Sequence, residues 1–323
     1  MSRPFVSVLT PTYNRRKFIP TAIACFKDQS YPHDSMEWII LDDGTDKVGD
    51  LFTAAKDAGL KNIRYVAIDE RLKIGAKRNR LNALAKGDIC VCMDDDDYYP
   101  PDRVKKAVFR LQSAPGRSIP VVGASMLFLY FADRDEIWSI GPYNQNHCTN
   151  GTMAYWTTYT KDHKYDETVD KAEEKSFMND WKTPVLQLTP LDTMLVICHA
   201  DNTFDKRVLL AQNNPLLKKQ GVKMKQYVTQ KKIKEFYYSL AAEYKAKPLP
   251  PPVIPIASDL PPHLLQELQK QELQKQELQK QMMQNQVCPA ATPIPSVSDV
   301  PVSNPPSESE LSAVPPQTTI QAP

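Results

Sequence analysis

Up to Met93 the chain alternates short apolar runs with segments of helical period. Val6-Ser7-Val8-Leu9-Thr10 is β-branched and ends at Pro11. From Lys17 to Asp28, Ile19, Ala22, Ile23 and Phe26 recur at the i, i+3, i+4, i+7 spacing of one helix face. Glu37-Trp38-Ile39-Ile40-Leu41 predicts a second strand running into the turn signal Asp42-Asp43-Gly44. A helix over Leu51–Ala58, a strand over Ile63–Ile68, a helix over Ala76–Leu84 and a strand over Ile89–Met93 follow. This alternation predicts βαβ units: an α/β fold of Rossmann type, its mostly parallel sheet flanked by helices on both faces. In such folds ligands sit outside the carboxyl ends of the strands. Those ends carry Pro11-Thr12-Tyr13-Asn14, Asp42-Asp43 and Asp94 to Asp97, which makes them the candidate site.

Beyond Pro120 the pattern loosens. Val121 to Phe131 and Thr193 to Cys198 are apolar and strand-rich, Ser139 to Tyr159 reads as loops and short strands, and Lys171 to Asp180 as a helix. Residues 215–246 predict one or two basic helices. The pentamer Gln-Glu-Leu-Gln-Lys then occurs three times, from Gln266 to Lys280. A five-residue period turns Leu268, Leu273 and Leu278 by about 140° at each step. They form no seam, so a solvated, marginal helix is expected there and no coiled coil.

Composition sharpens the boundaries. Of 323 residues, 28 are Pro and 10 are Gly; no Gly follows Gly221 and no aromatic follows Tyr244. A stretch so poor in apolar bulk cannot offset about 1–2 kcal/mol per residue of backbone ordering. The expected organisation is therefore a domain over 1–204, a basic helical extension over 205–247, a Pro-rich linker over 248–265, the repeat over 266–286 and a disordered Pro/Ser-rich tail over 287–323. The net charge of +2 conceals an excess in 205–247 of 11 Lys/Arg over 3 Asp/Glu. That stretch is available for weak contact with acidic surfaces, but a nucleic-acid-binding domain is not indicated. The run into Val6 leaves no room for a signal peptide or anchor, no stretch reaches the ~18 apolar residues of a transmembrane helix, and the six Cys lack CxxC spacing. A cytoplasmic protein of bacterial or viral type is expected.

Met93-Asp94-Asp95-Asp96-Asp97 carries the most chemistry. Two unit charges ~4 Å apart repel by about 4 kcal/mol at an effective dielectric of ~20, so adjacent carboxylates after a buried strand need a counter-charge. On an extended strand end Asp94 and Asp96 point one way and Asp95 and Asp97 the other. One pair can then face a divalent cation, and hard oxygen ligands suit Mn²⁺ or Mg²⁺.

Taken in order, Pro11-Thr12-Tyr13-Asn14-Arg15, Ile39 to Asp46, Gly75-Ala76-Lys77-Arg78-Asn79, Ala85 to Ile89, Met93 to Asp97 and Pro101-Asp102-Arg103 strongly resemble family 2 glycosyltransferases with a GT-A-type fold. The likeness covers residues 4–110 well and 111–204 loosely. It implies that Pro11 and Tyr13 flank a nucleotide base and that Asp43, with Asp42 beside it, accepts the base N–H, as in enzymes that prefer UDP-sugars. It further implies that Arg78 meets the pyrophosphate or the base, that Asp96 is the principal metal ligand, and that Asp94 or Asp95 meets the ribose while Asp97 positions the loop. His199 would complete the metal shell. Ala172-Glu173-Glu174-Lys175-Ser176-Phe177 matches the element that supplies the general base. Glu174 is the first choice, with Glu173 the alternative, although the family more often has Asp there.

The implied function is metal-dependent, inverting transfer of a sugar from a nucleotide-sugar to a hydroxyl acceptor on a glycan or protein. The competing expectation is a nucleotide-binding scaffold built on a degenerate transferase domain.

Overall fold

The computed structural model describes residues 3–212 and 214–249, together with Lys270, Leu273, Gln274 and Glu277. Residues 1–262 form one compact unit. The second, 263–323, is described at those four positions, which are helical and exposed. The linker beyond Leu249, the rest of the Gln/Glu/Leu/Lys repeat and the 287–323 tail lie outside the described residues.

In chain order the elements are β1 (Val6–Thr12), α1 (Ile19–Lys27), β2 (Met36–Asp42), α2 (Gly49–Asp57), β3 (Ile63–Ala67), α3 (Ile74–Leu84), β4 (Ile89–Cys92), α4 (Arg103–Gln112), β5 (Val121–Gly123), β6 (Leu127–Phe131) and β7 (Glu136–Ile140). They continue with β8 (Ala154–Trp156), α5 (Glu174–Phe177), β9 (Val185–Gln187), α6 (Pro190–Thr193), β10 (Leu195–Cys198), α7 (Arg207–Ala211), β11 (Leu217–Lys219), α8 (Met224–Tyr227), α9 (Lys231–Ser239) and α10 (Ala241–Ala246).

Seven strands form a sheet of order β3-β2-β1-β4-β8-β5-β9. The first four neighbours run parallel, as the alternation predicts; β8 is antiparallel to both β4 and β5. β1 is central and buried along its whole length. Its register with β2 ends at Thr12↔Asp42, and its register with β4 ends at Leu9↔Cys92. The polar residues after all three strands therefore emerge at one edge. Side chains lock that alignment: Trp38 Nε1 donates to Thr10 Oγ1 at 2.8 Å, and Thr10 Oγ1 donates to the Met93 carbonyl at 2.6 Å. Trp38 also stacks on Phe26 of α1, ring centres 4.6 Å apart.

A second sheet, of order β10-β6-β7-β11, crosses the boundary expected at residue 204. β11 pairs antiparallel with β7, from Leu217↔Ile140 to Lys219↔Trp138. Residues 205–247 are thus a strand and four short helices built into the first unit, where the sequence predicted helices alone. Their apolar face explains this: Phe236 meets Phe18 edge-on at 5.5 Å, and Ile233, Tyr237, Leu240 and Tyr244 are buried. Polar ties add to it, Lys17 Nζ reaching Glu243 at 2.7 Å and Gln230 Nε2 donating to Asp28 at 2.9 Å. Most lysines of the stretch, Lys231 and Lys232 among them, remain exposed.

The helix expected over 171–180 shrinks to α5. Ala172 stands at φ 54°, and Asn179, Asp180 and Trp181 also take left-handed backbone. Good helix formers yield here because Glu173 and Ser176 are claimed by partners outside the helix. Among the described residues no helix is long and apolar enough to cross a membrane.

Candidate active site

The loop after β2 is fixed from within. Asp42, fully buried, accepts hydrogen bonds from the Gly44 and Val48 backbone N–H groups at 2.8 and 3.1 Å and from the Tyr65 hydroxyl at 2.5 Å. This carboxylate is engaged with the turn that carries Asp43. Asp43 is also enclosed: it pairs with Lys77 Nζ and accepts the Leu72 backbone N–H at 2.8 Å. Burial lowers the Lys77 pKa, with the Asp43 charge opposing it.

Pro11 is buried in β1, and Tyr13 follows it half-exposed, with the Arg71 guanidinium 4.1 Å above its ring. Tyr13 thus puts an aromatic ring at this edge, one face of it covered by Arg71.

Arg78 is buried on α3 and lies between two acids. Its Nε donates to Glu173 at 2.8 Å and its terminal nitrogens approach Asp94 Oδ1 at 3.2 and 3.3 Å. An arginine paired twice is an internal brace between the aspartate run and the segment before α5. The sequence placed it against pyrophosphate or base.

The four aspartates do not pair off alternately as an extended strand end would have them: residues 95–97 form a bend, Arg15 lies near both Asp95 and Asp96, and Asp94 faces Arg78. Asp97 accepts the Ile197 backbone N–H at 2.8 Å and ties the run to β10. Burial and the neighbouring Asp96 charge push Asp95 up to about 8, and its Oδ2 is buried without a partner. Burial and the Asp96 charge likewise raise Asp97 well above the usual carboxylate range. Burial also opposes ionisation of Asp96, yet there His199 and Arg15 outweigh it and hold the carboxyl below that range. One carboxylate is singled out as the persistent anion by its surroundings.

His199 closes β10 and is buried, its Nε2 3.2 Å from Asp96 Oδ2. Its Nδ1 lies 3.1 Å from the Asp201 backbone nitrogen, and its Nε2 lies 2.9 Å from the Asn202 amide nitrogen as well as beside Asp96. In this arrangement His199 orients Asp96. Arg15 Nη2 sits 3.5 Å from the same carboxylate and Asn202 Nδ2 3.4 Å away. Among the described residues no group of three or more His, Cys, Asp or Glu side chains is arranged to enclose a cation.

Glu173 and Glu174 separate cleanly. Glu173 is engaged with Arg78. Glu174 Oε1 accepts only the Asn150 backbone N–H, at 3.0 Å, and burial followed by the Glu173 charge pushes it up to about 7. Gly151, next to Asn150, presses on the aspartates: a Cβ there would come within 2.9 Å of Asp94 Oδ2 and 2.8 Å of Met194 Sδ. Arg103, wholly buried, donates to the Thr152 and Met153 carbonyls at 2.7 and 2.9 Å and holds this short segment in place. Glu174 and the aspartate run are therefore linked through two consecutive residues.

Several site residues escaped the sequence reading. Arg15 and Lys77 lie inside recognised runs, but nothing local says which acid each meets. Asn202 contributes an amide from a loop whose path depends on tertiary structure.

This fold and edge define an α/β domain of GT-A type. Residues 7–144 match Glycosyl transferase family 2. It is 33% identical over 105 residues to the protein TuaG of Bacillus subtilis, covering 32% of this chain and 40% of that protein. It is 24% identical over 202 residues to the glycosyltransferase AglE of Haloferax volcanii, covering 51% and 64%. The chain thus spans less than two thirds of each relative. A mannosyltransferase from Pyrobaculum calidifontis, solved with GDP-mannose and Mn²⁺, shares the fold at a TM-score of 0.52 and 17% identity, over 65% of this chain and 62% of that one.

Proposed function

We propose that the protein transfers a sugar, with inversion, from a nucleoside-diphosphate sugar, UDP-linked by preference, to an acceptor hydroxyl. The observation that carries this reading is the link Glu174–Asn150–Gly151–Asp94, which sets a carboxylate poised near neutral pH beside the acidic strand end.

Glu174 takes the proton of the acceptor hydroxyl as that oxygen attacks the anomeric carbon. The bond from that carbon to the phosphate oxygen breaks, and the nucleoside diphosphate leaves on the opposite side. A base whose pKa lies near the working pH suits this task. Asp96, with Asp94 beside it, fits a divalent cation held mostly by its diphosphate ligands; magnesium in particular is commonly bound through one or two carboxylates plus substrate phosphates. The persistent Asp96 anion and the unpartnered Asp95 oxygen support that fit. Such a cation, when bound, neutralises charge on the departing diphosphate. Arg15 adds a second positive charge at the same place, His199 keeps Asp96 turned toward it, and Tyr13 offers a face on which the base stacks.

Titration with UDP, GDP, ADP and CDP, each with and without Mn²⁺, tests the reading. Metal-dependent binding that is tightest for UDP, abolished in D96A and retained in E174Q, is the expected result. Absence of metal-dependent nucleotide binding in the parent protein overturns it.

A further inference from the structure

A cavity of about 200 Å³ lies between the second sheet and the chain that follows β10. Leu127 and Leu129 of β6, Ile140 of β7 and Leu209 of α7 supply aliphatic walls, and Tyr143 and Phe204 add aromatic faces. The Tyr143 ring centre stands 4.4 Å from that of His147, which stands 4.4 Å from that of Trp181, so one wall is backed by a row of three mutually tilted rings. The remaining polar lining is Thr149, Lys206 and His147 itself. Burial holds His147 down to about 4, so this ring is neutral, and its Nδ1 has no partner.

The lining of this pocket adjoins the machinery described above in sequence and in charge. Thr149 precedes Asn150, whose N–H holds Glu174. Lys206 acts electrostatically on Asp96 and Asp97. Lys171, from the segment that leads into α5, lies 5.8 Å over the Phe204 ring. The lining thus includes Thr149, next to the residue that holds Glu174, and Lys206, whose charge reaches the aspartates.

Size and chemistry narrow the occupant. An apolar cavity of about 150 Å³ accommodates a benzene molecule, so this one holds a single six-membered ring or an alkyl group of similar bulk. A sugar ring brings a hydroxyl on nearly every carbon, and each needs a polar partner when buried. Walls that are mostly C–H surface do not provide them. We propose that this cavity seats an apolar aglycone, aryl or alkyl, and so selects acceptors in which the reactive hydroxyl belongs to a hydrophobic conjugate. This rests on the transferase reading and adds the acceptor class to it.

The test is calorimetric titration of the full chain with phenyl β-D-glucopyranoside and with methyl β-D-glucopyranoside, in the presence of UDP and Mn²⁺. The phenyl glycoside is expected to bind about tenfold more tightly, as burial of an aryl group predicts. Equal affinity for the two, or binding of neither, overturns the proposal. Phe204→Ala and Leu209→Asn are each expected to cut the preference by about threefold or more through loss of apolar wall; a preference that survives unchanged in both overturns the assignment to this cavity. If UDP itself fails to bind with Mn²⁺, it is the transferase reading that falls, so the two failures are told apart.

Discussion

Arg78 Nε donates to Glu173 Oε1 at 2.8 Å, deep in the protein, while the next residue in sequence leaves its carboxylate with a single backbone donor. Two adjacent glutamates thereby receive different tasks. Glu173→Gln removes one of the two acids around a buried guanidinium and is expected to cost about 1–3 kcal/mol of stability, since Arg78 keeps only Asp94. Glu174→Gln is expected to leave folding and UDP affinity near parent values and to lower kcat by about 10²–10⁴, the usual worth of a general base. Thermal melts together with steady-state kinetics on both variants check this. A kcat loss confined to Glu173→Gln would reverse the two roles.

The Glu174 pKa, pushed up to about 7, gives the pH dependence a definite sign. The base works only when ionised, so kcat/KM should rise with pH through about 7 and level off above it. On the acid side each further pH unit should cost about tenfold. The measurement is a pH–rate profile at saturating Mn²⁺, and Glu174→Gln should flatten that limb. A profile already level at pH 5 in the parent would mean that another group, or none, takes the proton.

Much of this architecture is legible in the sequence because local and global signals agree up to Met93. The apolar runs at Val6, Trp38 and Ile89 become β1, β2 and β4, and their common register delivers Tyr13, Asp43 and Asp94 to one edge. What the sequence does not expose is which partner each charge finds. Asp42 and Asp43 look equivalent as a pair, yet one faces Tyr65 and the loop amides while the other faces Lys77 across the edge. Pairs like Arg78 and Glu173, 95 residues apart, follow from helix packing that no local period encodes. The overextended helix at 171–180 has the same origin: Glu173 and Ser176 are drawn to Arg78 and to the Asp166 backbone, and left-handed residues then interrupt the helix.

The Asp43–Lys77 pair is buried on both sides, with 0% and 6% of the side chains exposed. Removing one partner leaves the other charge without compensation. Asp43→Ala is therefore expected to cost about 3–5 kcal/mol. The double replacement Asp43→Leu with Lys77→Met removes both charges and should recover a large part of that loss, because the pair's own net contribution is small once desolvation is counted. Chemical denaturation of the two single variants and the double variant gives the coupling directly. Additive losses, with no recovery in the double, would show that the two side chains act independently.

His199 offers the sharpest separation between holding Asp96 and binding a cation. Its Nε2 lies 3.2 Å from Asp96 Oδ2 while the Asp201 backbone N–H faces Nδ1. If orientation is its role, His199→Ala should raise the Mn²⁺ concentration for half-maximal activity by about 10–100-fold, the usual cost of losing a hydrogen-bond partner behind a metal ligand. UDP binding without metal should be unchanged. His199→Gln keeps an N–H that can reach Asp96 and should restore most of the lost metal affinity, although an amide is a poor replacement for a direct imidazole ligand. Metal titrations of both variants decide between the roles: recovery in the glutamine variant supports orientation, and equal loss in both assigns the ring to the cation itself.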